Sequence, residues 1–164
     1  MTGKIIREQF HHLPREHYCG RIWGCFTICV QPRQPLFYSD SVVNHCLSFL
    51  DSARERHACL VLLYCFMPDH LHLILQGQDE QSDLYDAIVD FKHRAGIYLW
   101  RSRSHYRLQK NFYDHLIRSD NELAFQLIYV AENPVRRGLV SRWQDYRFTG
   151  SLGIELGSVL DAML

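Results

Sequence analysis

Two apolar runs, residues 58–66 (ACLVLLYCF) and 70–75 (HLHLIL), are separated only by Met67-Pro68-Asp69. No other feature constrains the fold as much. A continuous apolar run of this length reads as a central strand, covered on both faces. Pro-Asp is a turn signal, and so short a connection returns the second strand antiparallel to the first. The second strand departs from the apolar pattern at two places. His70 and His72 stand at i and i+2, so they project side by side from one face while Leu71 packs into the other. A core strand gains nothing from two polar rings. Two imidazoles placed this way can share one divalent metal ion.

The remaining elements arrange themselves around this hairpin. Residues 21–30 (RIWGCFTICV) are aromatic and β-branched and predict a first strand, broken by Gln31-Pro32-Arg33-Gln34-Pro35. Ser39 or Asp40 can cap a helix running to about Glu55, with Val43, Cys46, Leu47 and Leu50 on its apolar side. After a polar stretch at 76–81, a second helix runs from about Ser82 to Arg101, its Leu84, Ile88, Phe91, Ala95 and Leu99 recurring every three or four residues. Residues 111–117 predict a fourth strand. Ser119 opens a third helix, which Pro134 stops at about Asn133. The order β-α-β-β-α-β followed by α predicts an α+β fold: a ferredoxin-like antiparallel sheet with an additional C-terminal helix that carries Tyr129. At 164 residues and 47% apolar content the chain fits one domain over 1–164.

No stretch approaches the ~18 consecutive apolar residues of a membrane span, and the N-terminus lacks the apolar run of a signal peptide. The expectation is a soluble cytoplasmic protein with no membrane partner. The six cysteines contain no Cys-x-x-Cys pair and mostly sit in apolar runs, so they read as reduced, buried thiols. Net charge is zero, but its distribution is uneven. Segment 79–90 holds five acidic residues and no basic one, whereas 92–118 holds seven basic residues against Asp114 alone. A patch of that size can hold a few phosphates, with Lys92, Arg94, Arg101, Arg103 and Arg107 as the candidates and Arg136 and Arg137 as a second basic group, although a solvated helix face is the plainer reading of the charge alone.

Two imidazoles make a weak site, and a third ligand must come from elsewhere. The third helix offers Tyr129 and Asn133, four apart and on one face, flanked by Gln126 and Glu132. A phenol facing a two-histidine metal would pair a nucleophile with a Lewis acid suited to a phosphodiester. Core packing is the bland reading of Tyr129, and Tyr113 is a competing nucleophile.

Three ordered motifs resemble those of the single-tyrosine HUH transposases, similar to REP-associated tyrosine transposases. They are His70-Leu71-His72 with Pro68 before it, 129–140 (YVAENPVRRGLV), and 143–151 (WQDYRFTGS), within a resemblance spanning about 17–152. The resemblance implies that Tyr129 cleaves single-stranded or hairpin DNA through a 5′-phosphotyrosine link. It implies that His70, His72 and Asn133 hold Mg²⁺ or Mn²⁺, and that the protein works as a monomer or homodimer. Two other classes compete with this reading. One is a domesticated, non-cleaving single-strand binder of the same fold. The other is an unrelated metalloenzyme with a water nucleophile.

Overall fold

The computed structural model describes residues 12–31, 34–102 and 105–161. Its elements are β1 (Trp23–Gln31), α1 (Asp40–Arg56), β2 (Cys59–Met67), β3 (His70–Gly77), α2 (Leu84–Arg101), β4 (Arg107–Leu108), β5 (Tyr113–Ile117), α3 (Asp120–Ala131), α4 (Asn133–Arg136), β6 (Thr149–Leu152) and α5 (Leu156–Asp161). All strand pairs are antiparallel, and the sheet order is β4-β1-β3-β2-β6, with β5 also on β1. β5 pairs with Trp23–Thr27 and β4 with Val30 and Gln31, so the two short strands share one edge of β1. The order β5-β1-β3-β2 is the expected ferredoxin-like core, and the hairpin of β2 and β3 lies at its centre.

Both faces of the sheet are covered, which is why 58–66 is apolar throughout. Phe26, Ile28 and Val30 of β1 and Leu71, Leu73 and Leu75 of β3 pack beneath α1 and α2, against Val43, Leu50, Ile88 and Phe91. The opposite face carries Leu63, Cys65, Met67 and Ile74 beneath Leu123, Leu127, Val130 and Ala131 of α3. A register shift between Val61 and Leu63 turns both Leu62 and Leu63 toward the α3 side. By strand alternation His70 and His72 share the face of Ile74, which is the α3 face.

Three sequence expectations need correction. The second helix starts two residues later, at Leu84, with Asp83 as N-cap accepting from the Asp86 amide at 2.8 Å. Ser82 is instead a buried clamp, donating to the Ala58 carbonyl and accepting from the Gln78 and Asp79 amides. The fourth strand spans Tyr113–Ile117 only, because the backbone at 109–111 is tied to Lys92. Pro134 does not end the helical chain. α3 stops at Ala131, and Pro134 sits in the first turn of α4, where its missing N–H costs nothing. The strand β6 was not anticipated.

Gly77, at the end of β3, admits no side chain. A Cβ there would lie 1.9 Å from the Gly20 carbonyl oxygen, which belongs to a backbone segment fixed by the Gly77 N–H to Ile22 and the Gly20 N–H to Ser82. Gly77→Ala should therefore cost about 2 kcal/mol or more, lowering the thermal midpoint by about 5 °C or more in a denaturation scan.

Candidate functional site

β3 lies between β1 and β2, with His72 opposite Thr27 and Cys65, and His70 opposite Cys29 and Met67. Both imidazoles are buried, at 2% and 8% exposure. Their Nε2 atoms face each other at 3.0 Å, with the rings nearly perpendicular at 87°. The far nitrogens are also engaged. His70 Nδ1 is 2.7 Å from Asp69 Oδ1, and His72 Nδ1 is 2.9 Å from Thr27 Oγ1. Burial holds the His72 pKa well below the usual imidazole value, and the neighbouring His70 imidazole and the charges of Arg136 and Arg137 push it the same way. His72 is thus kept neutral, the form a metal ligand needs.

The residues fit a divalent ion. Two nitrogens at neighbouring corners of an octahedron with bonds of about 2.1 Å lie about 3.0 Å apart, whereas tetrahedral zinc would spread them to about 3.4 Å. The observed 3.0 Å spacing leaves both rings within reach of one ion and, with no ion between them, is that of an N–H···N hydrogen bond. Among the described residues no three His, Cys, Asp or Glu side chains converge on a metal position, so a third ligand drawn from these residues would be of another type. Asn133 offers one. It is 9% exposed, and its Nδ2 is buried with no hydrogen-bond partner. Turned over, the same amide presents an oxygen where the orphaned nitrogen lies.

α3 is capped by Ser119, whose hydroxyl accepts from the Glu122 amide at 3.2 Å. Its Leu123, Leu127, Val130 and Ala131 are buried, but Tyr129 is 48% exposed, so core packing does not explain it. Its ring lies 6.1 Å from Phe125 at 20°, and the Arg136 guanidinium sits 4.1 Å over it. Arg136 also donates to the Tyr129 carbonyl at 2.5 Å. The helix break at Glu132 separates what the sequence placed on one helical face: Tyr129 is near the end of α3 and Asn133 begins α4. Tyr113 is half exposed and stands in the same cross-strand row as Thr27 and His72. Two strand spacings, about 9.6 Å, separate it from His72.

The basic residues are dispersed. Arg136 and Arg137 lie near enough to act electrostatically on His72, and Arg137 lines a hollow with Met67, Pro68 and Asp69. Lys92, by contrast, is spent on structure. Its ammonium donates to the carbonyls of Gln109, Lys110 and Asn111 at 2.8, 2.7 and 3.2 Å. Arg94 is paired with Asp90 at 3.0 Å, and it and Arg101 belong to α2, on the other side of the sheet from the histidines. Arg107 lies on the edge strand β4, donating to the Tyr106 carbonyl at 2.8 Å. Arg103 falls outside the described residues. Lys92→Met keeps the stem but removes three charged hydrogen bonds. It should cost about 1–3 kcal/mol in urea denaturation, while the salt dependence of DNA binding stays unchanged.

Asp69 and Thr27 were not singled out from sequence as site residues. Asp69 belongs to the turn between β2 and β3, and Thr27 lies 45 residues from His72.

Residues 20–117 match the family described as "Transposase IS200 like". The chain belongs to the IS200-like transposase family. The matched span runs from just before β1 to the end of β5 and contains the histidine pair, while α3 with Tyr129 follows it. A protein of Haemophilus influenzae, assigned as a REP-associated tyrosine transposase, is 29% identical over 135 residues, covering 76% of each chain. Among solved structures, a REP-associated tyrosine transposase bound to a REP hairpin superposes with a TM-score of 0.70 at 17% identity. It covers 87% of this chain and 82% of its own. A protein assigned as a transposase from Deinococcus radiodurans superposes with a TM-score of 0.51 at 13% identity, over 68% of this chain and 91% of its own. The mixed α+β fold is thus that of the REP-associated tyrosine transposases. No helix among the described residues is long and apolar enough to cross a membrane, and all six cysteines are free thiols.

Proposed function

We propose that this IS200-like transposase nicks and rejoins single-stranded DNA at hairpin repeats through a covalent tyrosine intermediate. One observation carries the reading: two buried imidazoles, with facing nitrogens 3.0 Å apart, lie on the sheet face covered by α3, whose Tyr129 is exposed and which α4 follows with the orphaned Asn133 amide. His70, His72 and Asn133 would hold Mg²⁺ or Mn²⁺, whose contribution is to polarise the scissile phosphate. Tyr129 supplies the nucleophile. Its phenolic oxygen attacks phosphorus, the bond to the 3′-oxygen breaks, the phenolic proton passes to solvent and the 3′-oxygen takes one up. The product is a 5′-phosphotyrosine and a free 3′-hydroxyl, and attack by a 3′-hydroxyl reverses the step with no external energy source. Arg136 and Arg137 hold flanking phosphates. The hairpin-bound structural relative supports this choice of DNA.

The test is covalent capture. The protein is incubated with Mn²⁺ and hairpin oligonucleotides drawn from DNA flanking its gene, labelled in turn at either end. An SDS-resistant adduct carrying the 3′-side fragment is the expected result. Tight hairpin binding with no adduct across that set would make the protein a non-cleaving binder of the same fold.

A further inference from the structure

The hydrogen bonds around the histidine pair fix where its protons lie. The carboxylate of Asp69 only accepts, so the 2.7 Å contact requires the proton of His70 on Nδ1 and leaves a bare lone pair on Nε2. That lone pair faces the Nε2 of His72 at 3.0 Å, a distance that two lone pairs would not hold. With both rings neutral, the proton between them belongs to His72 Nε2. His72 Nδ1 is then bare, and at 2.9 Å the hydroxyl of Thr27 must donate to it. The metal-free pair is therefore asymmetric: His70 already presents a free Nε2, and His72 does not.

We infer that Asp69 and Thr27 are positioning residues with different tasks, Asp69 locking His70 in the metal-accepting tautomer and Thr27 letting His72 change into it. The inference rests on the metal reading of the site given above. When Nε2 of His72 becomes a ligand, its proton is given up there and one is taken up at Nδ1, with no net change in the ring's protonation. Nδ1–H then donates to Thr27 Oγ1, which reverses its role by rotating its hydroxyl. A hydroxyl both donates and accepts, and a carboxylate does not. This difference accounts for a threonine opposite His72 and an aspartate beside His70. Outer partners of metal-bound histidines commonly change affinity 10–100-fold.

The test uses the full chain without DNA, with ¹⁵N spectra of the imidazoles and Mg²⁺ titration by calorimetry. In metal-free protein His70 is expected as the Nδ1–H tautomer and His72 as Nε2–H. With saturating Mg²⁺, both are expected as Nδ1–H. Thr27→Val and Asp69→Ala should each weaken Mg²⁺ about 10–100-fold, whereas Thr27→Ser should restore wild-type affinity and the tautomer change. Asp69→Asn, which keeps an acceptor oxygen, should fall between. Two results would overturn the inference: His70 carrying its proton on Nε2 in the metal-free wild type, or Thr27→Val binding Mg²⁺ as tightly as wild type. Either leaves the proposed nicking reaction standing. A wild type that binds neither Mg²⁺ nor Mn²⁺ would overturn both this inference and the metal reading beneath it.

Discussion

Tyr129→Phe is expected to abolish the covalent protein–DNA adduct and to slow nicking by about 10⁴-fold or more, the scale on which removal of a nucleophile acts. The substitution deletes one exposed oxygen and keeps the ring. The stack on Phe125 and the cation–π contact with Arg136 both survive, so folding and hairpin affinity should stay within a factor of two of wild type. Single-turnover nicking of an end-labelled hairpin, read on a denaturing gel, separates the step from binding. Tyr113 is the control that makes the result decisive. It is half exposed and stands in the row of His72, so its location alone does not disqualify it. Tyr113→Phe should leave the adduct intact. An adduct that survives Tyr129→Phe and disappears in Tyr113→Phe would move the nucleophile to β5, and cleavage surviving both would assign it to water.

What could be read from the sequence divides along physical lines. The hairpin of β2 and β3 was legible because an apolar run, a Pro-Asp turn and a second run leave one topology, and the two histidines because polar rings break that run. β6 was not. It is four residues long and half-buried throughout, without alternation, and its Gly150 is set by the Tyr64 phenol packed on it, whose hydroxyl oxygen is 2.5 Å from where a Cβ would lie. Pro134 announces a break in the helix but not that the chain resumes as α4, which buries Asn133 while Tyr129 remains exposed. Charge counting found the basic segment after Lys92. It did not reveal that this ammonium ends on three backbone carbonyls or that Arg94 is held by Asp90, because the destination of a long side chain is a tertiary fact. Thr27 was invisible for a related reason: only the register of β1 against β3 brings it to His72.

The histidine pair itself should prove functional rather than structural, and the double variant His70→Leu/His72→Leu tests this. Removing one ring alone strands a buried nitrogen of the other, a cost of about 1–3 kcal/mol, so single alanine variants confuse lost stability with lost chemistry. Replacing both removes the facing Nε2 atoms together and takes an imidazole partner only from the buried Thr27 hydroxyl and the partly exposed Asp69 carboxylate. Leucine continues the pattern of Leu71, Leu73, Ile74 and Leu75, and apolar substitution of a buried polar pair is often neutral or stabilising. In metal-free buffer the double variant should therefore keep its stability to within about 2 kcal/mol of wild type in urea. Its Mn²⁺ affinity should fall at least about 100-fold, and nicking should disappear. A loss of more than about 2 kcal/mol in the double variant would mean that the imidazoles hold the hairpin together. If stability is kept while metal binding and nicking are lost, the two histidines in an otherwise apolar strand are there for the DNA chemistry and not for the fold.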